Sequence, residues 1–131
     1  MPRLLLAALA LALGCAAGSP RGYPPIPRGD DDAAARAVLG RFAGAVQAGR
    51  WDEAHALLTA RWRDAYTASR LAADYRGAGP VASDAAGRVA ALLAAGAPLT
   101  RDRDRVTLPA GPGLAAVLLL EEGSWRVDRL E

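Results

Sequence analysis

The chain has 131 residues, room for one domain with a modest core. Its 52% hydrophobic content leans on alanine, which buries little area, and only seven aromatic residues are present (Trp 3, Tyr 3, Phe 1). A single cysteine excludes an internal disulfide, and one histidine excludes a zinc site of ordinary ligand type. Formal net charge is only +2, and every basic residue is arginine, interleaved with acids as in Arg101-Asp102-Arg103-Asp104-Arg105. Nucleic-acid binding needs a one-sign cluster that engages several phosphates together, so no nucleic-acid partner is expected.

At the N-terminus, Arg3 precedes an uninterrupted Leu/Ala run from Leu4 to Leu13. About twenty apolar residues are needed to span a bilayer, so this run reads as a signal-peptide core covering 1–14. Leu11-Ala12-Leu13-Gly14-Cys15 resembles the lipobox of bacterial lipoproteins. The position three before the cysteine is Ala12, where that family more often has Leu.

The resemblance implies cleavage between Gly14 and Cys15 and acyl chains on Cys15. It therefore implies membrane attachment through lipid in the cell envelope. Two chains make a stable anchor, at about 0.8 kcal/mol per buried methylene. Ala16 after the cysteine, rather than Asp, implies outer-membrane sorting facing the periplasm if the envelope is Gram-negative. The competing reading is an ordinary secretory signal cut near Ala16-Ala17-Gly18, with Cys15 discarded.

Residues 15–30 carry Ser19-Pro20, Pro24-Pro25 and Pro27 among glycines, the composition of a solvated tether. Tyr23 and Ile26 are its large apolar residues, able to dock on the domain or contact lipid. The domain is expected over 31–131. Asp30-Asp31-Asp32 lacks the alternating ligands and turn glycine of a calcium loop and reads as a helix N-cap.

Val38, Phe42, Ala45 and Val46 recur at helical spacing from Ala33 to Ala48, where Gly49 stops the helix. A second helix starts near Asp52 and carries Ala54, Leu57, Leu58 and Trp62 on one side. A short third is capped by Thr67 or Ser69, with Leu71 and Tyr75 one turn apart. Gly77-Ala78-Gly79-Pro80 breaks the chain, and Ser83 opens a fourth helix ending at Gly96.

The period then changes from helical to two. Val106-Thr107-Leu108, Leu114 to Leu120, and Ser124 to Arg129 read as strands joined at Gly111-Pro112-Gly113 and Glu122-Gly123. Leu99 marks a further edge strand turning at Asp102 to Asp104. The expected fold is α+β, with three to four N-terminal helices packed on a C-terminal antiparallel meander of three to four strands.

The stretch from Ala43 to Ala54 with Leu57-Leu58, and the closing Glu122-Gly123-Ser124-Trp125-Arg126-Val127, resemble the nuclear-transport-factor-two-like, or cystatin-like, superfamily. A helix where that family has early strands departs from its pattern. Its members include enzymes, binding modules and accessory domains, so the resemblance implies no activity.

His55 is the one residue able to act as a base near neutral pH without a large shift, and Asp52 lies one turn before it. Neither has a surrounding catalytic set: no serine sits in a nucleophile elbow, and no glycine cluster links strand to helix as a phosphate loop would. Glu121-Glu122 read as solvated turn residues.

The leading expectation is a non-enzymatic domain that binds or scaffolds an envelope protein at the membrane, with no cofactor and no metal. The alternative is a small-ligand or enzymatic pocket between helices and sheet, using His55 and Asp52 with Tyr66 and Tyr75.

Overall fold

The computed structural model describes residues 23–130. The segment 1–14 expected to be a signal peptide, the cleavage position expected at Gly14 and the lipidation site expected at Cys15 lie outside the described residues. Five helices come first: α1 (Asp32–Ala48), α2 (Trp51–Ala56), α3 (Ala60–Ala65), α4 (Ala68–Ala78) and α5 (Pro80–Ala94). Four strands follow, β1 (Thr100–Asp102), β2 (Arg105–Gly111), β3 (Leu114–Glu121) and β4 (Ser124–Leu130), forming an antiparallel meander in chain order. The chain has the α+β layout its periodicity predicts.

α1 begins where Asp31 accepts a 2.7 Å hydrogen bond from the Ala34 N–H, the capping role expected of the aspartate run. The fully buried Val38, Leu39 and Ala45, with Phe42, form the stripe that packs across β3 and β4 and along α5. The sheet answers with Val106, Leu108, Ala116, Leu118, Trp125 and Val127, all in the same core. Register places Val106 opposite Leu118, Leu118 opposite Val127, and Leu120 opposite Trp125, so one sheet face is apolar throughout.

Two element boundaries differ from the sequence expectation. The second helix does not run through to Trp62: α2 stops after Ala56 and α3 starts at Ala60. In the gap, the Leu57 carbonyl accepts a hydrogen bond from the Val127 N–H (2.8 Å) and the Thr59 N–H donates to the Val127 carbonyl (3.0 Å). Pairing with the free edge of β4 takes these groups out of the helical ladder while keeping Leu57 and Leu58 buried.

The last long helix starts at Pro80, not Ser83. Gly79, at φ 67°, closes α4 and leads directly into α5, with proline at the first turn, where a missing N–H costs nothing. Thr67, rather than Ser69, caps α4 by accepting a hydrogen bond from the Arg70 N–H.

Part of the stretch expected as a solvated tether lies on the domain. Arg41 donates to the carbonyls of Pro25 (2.9 Å) and Pro24 (3.0 Å), Gly29 N–H donates to Gly123 O (3.1 Å), and Arg101 donates to Asp30 O (2.6 Å). Ile26 packs against the core. At the hairpin holding this strap, Glu122 and Gly123 both adopt positive φ (50° and 76°), the geometry a two-residue turn needs to match strand twist.

Trp125 is fully buried, with the Arg101 guanidinium 5.4 Å from its ring centroid. Trp125→Ala is expected to destabilise the domain by about 3–5 kcal/mol, as removal of a large core ring does. The shift in urea midpoint against the parent chain measures it.

Candidate functional site

A cavity of about 290 Å³ opens where α3 and α4 meet β4. α3 and its C-cap supply Trp62 and Tyr66; α4 supplies Leu71, Asp74 and Tyr75. Phe42 and Leu58 form the floor, and Val127 to Leu130 form the strand wall. The Trp62 and Tyr66 rings meet edge-on, centroids 5.5 Å apart, while Tyr75 stacks obliquely on Trp51 at 5.3 Å. The local helices account for this collection. Leu71 and Tyr75 are one turn apart on α4, and Tyr66 ends α3 in an extended conformation that turns the chain toward α4.

The strand wall is built around Asp128. Val117 pairs with Arg129 and Leu118 with Val127, so Asp128 is the extra residue of a β-bulge. Its buried carboxylate accepts from Arg61 Nε and Nη2 (2.8 and 2.7 Å) and from the Thr59 hydroxyl (3.0 Å). Its backbone carbonyl accepts from the Trp62 indole N–H (2.7 Å). A bidentate guanidinium–carboxylate pair of this kind fixes direction as well as distance. Asp128 in turn raises the Arg61 guanidinium above its ordinary value, chiefly through that hydrogen bond.

Glu121 adds a second clamp. Its carboxylate accepts from the Ala60 N–H at 2.8 and 3.1 Å, capping α3 from a distant strand. This corrects the reading of Glu121 as a solvated turn residue. α3 is thus fastened to the sheet at both its first turn and its tryptophan.

The sequence candidates divide. Tyr66 and Tyr75 line the cavity; His55 and Asp52 do not. His55 is half-buried, with Nε2 2.7 Å from the Tyr66 carbonyl oxygen. A carbonyl oxygen only accepts, so that nitrogen carries the proton and the imidazole ties α2 to the end of α3. Asp52 is exposed, and the expected pairing with His55 one turn away is not made. Among the described residues, no group of three or more His, Cys, Asp or Glu side chains could hold a metal ion.

Sequence reasoning missed Asp128, Thr59 and Glu121. A signal for the first existed: apolar positions Trp125 and Val127 are followed by Leu130, not by residue 129, and that slip in alternation marks the bulge. Thr59 and Glu121 act across 69 and 61 residues of sequence, which no local pattern encodes.

A larger groove of about 550 Å³ lies between the α4–α5 corner and the β2–β3 hairpin. Its walls are mainly alanine, Val81, Leu114 and Leu130, without an aromatic ring. The smaller cavity is the better candidate because aromatic faces and unpartnered polar groups converge there.

Burial pushes the Tyr75 hydroxyl up to about 12. Its protonated form is favoured in the fold, so this stabilisation is complete below pH 10 and is lost as pH rises through about 12. Urea unfolding across that window should show the parent losing roughly 2–3 kcal/mol more than Tyr75→Phe. Parallel pH profiles for the two proteins would refute it.

No protein-family model, no curated protein and no solved structure matches this chain.

Proposed function

We propose that this is a lipid-anchored cell-envelope protein whose domain binds a partner without catalysing a reaction, and that the α3–α4–β4 cavity is its binding site. The supporting observation is the composition of that cavity. Aromatic rings and carboxylates converge on it, while the single histidine stands outside it with Nε2 engaged by Tyr66. A general base must come within hydrogen-bond reach of the proton it removes. The enzymatic alternative requires His55 in the pocket, so its geometry favours binding.

The anchor rests on the sequence from Arg3 to Cys15. Among the described residues no helix is long and apolar enough to cross a membrane, and acyl chains would hold the domain without one. The expected partner is an envelope protein.

Cys15→Ser is expected to abolish acylation and move the protein from the detergent phase to the aqueous phase in a phase-partition assay. A mature product beginning downstream of Cys15 without lipid, seen by mass spectrometry, would overturn the anchor. Tyr66→Leu, which shrinks one cavity wall, is expected to remove the partner recovered with the lipidated protein from solubilised membranes. Unchanged recovery would remove the cavity from the binding function.

A further inference from the structure

We infer that the cavity takes a cationic head, an ammonium or guanidinium group, seated among Trp62, Tyr66 and Tyr75 with Asp74 as its counter-ion. The inference rests on the reading of this cavity as the binding site. It names the chemistry of the occupant.

Charge is the first argument. The lining carries two carboxylates, Asp74 and Asp128, against one guanidinium, Arg129. Asp128 is already engaged by Arg61 and Thr59, and Arg129 Nε lies 3.9 Å from the same carboxylate. The Asp74 carboxylate makes no hydrogen bond or ion pair among the described residues. A carboxylate without a counter-ion therefore stands exposed at the mouth of the cavity, where it can meet an incoming cation.

The aromatic walls supply the second argument. Cations are drawn to the faces of Trp and Tyr rings within about 6 Å of the centroid. These rings already behave so within the chain: the Arg61 guanidinium lies 5.1 Å from the Trp62 centroid and that of Arg70 lies 5.6 Å from Tyr66. Neither arginine lines the cavity. The hydroxyls of Tyr66 and Tyr75 make no hydrogen bond among the described residues, leaving two oxygens to accept from an ammonium or guanidinium N–H.

An anionic occupant would meet Asp74, while Arg61 and Arg129 lie against Asp128. At about 290 Å³ the space sits at the small end of ligand pockets, which run roughly 300–1,000 Å³. A head group fits, either on a free small amine or on the basic side chain of a protein partner.

The test is titration of the full mature chain in detergent with butylammonium, butylguanidinium, 1-butanol and butyrate, followed by calorimetry and tryptophan fluorescence. Both cations are expected to bind at least about tenfold tighter than the neutral and anionic probes. Asp74→Asn should weaken both cations by about fivefold or more while leaving thermal unfolding unchanged, since the side chain is exposed. Equal binding of 1-butanol, preference for butyrate, or unchanged cation affinity in Asp74→Asn overturns the inference.

Competition separates the two sources. Release of the membrane-recovered partner by butylammonium assigns the head to a protein side chain, whereas cation binding with no partner to release assigns it to a free amine. A partner lost in Tyr66→Leu but unaffected by saturating cation overturns the cationic head and leaves the binding site standing.

Discussion

The pairing of Leu57 and Thr59 with Val127 is the interaction on which the architecture turns. These two backbone hydrogen bonds interrupt a stretch whose periodicity favours one continuous helix, and they occupy the edge of β4 that would otherwise stay open. With the linker held there, α3 lies beside the bulge, its Trp62 indole donating to the Asp128 carbonyl. Asp128 and Glu121 complete the attachment by gripping Arg61, Thr59 and the first N–H of α3. Trp62 and Tyr66 are thereby held over the strand, and the space beneath them becomes a cavity rather than a packed interface.

The rest of the domain is a thin but tightly closed core. Ala35, Ala43, Ala45, Ala54, Ala86 and Ala116 are fully buried, and small side chains let α1 approach α5 and the sheet closely. At Gly87 a Cβ would come within 3.2 Å of Gln47 Nε2, the tip of an α1 side chain that reaches over α5. Large side chains are concentrated at Trp125, Phe42 and Leu39. The Pro24–Asp30 strap adds cover on the α1 and β3–β4 side through Arg41, Gly123 and Arg101. In the proposed lipid-anchored form, this docking shortens the free chain between lipid and domain and restricts how far the cavity can swing from the membrane.

His55 shows why a residue type is weak evidence for chemistry. In sequence it is the obvious base; in the fold it is a brace between α2 and the carbonyl that ends α3. Its contribution to the cavity is indirect, through the position of Tyr66. The polar groups that do line the cavity include the exposed Asp74 carboxylate and the phenols of Tyr66 and Tyr75.

The amino-acid sequence by itself determined the layout of helices first and an antiparallel meander last, though not the split of its second helix into α2 and α3. The cap at Asp31, the stop at Gly49, the break at Gly79 and the positive-φ turn at Glu122-Gly123 are local, because each depends on a few neighbouring residues. The period-two strands and their apolar face were legible for the same reason. Tertiary structure decided where the second helix breaks, which acid is buried, and which side chains meet at the cavity. Those outcomes depend on backbone groups of β4 competing with the helical ladder for Leu57 and Thr59, and on Asp128 finding Arg61 across 67 residues. A helix-forming stretch carries no local record of a strand edge that will take its hydrogen bonds; only the folded chain brings the two together.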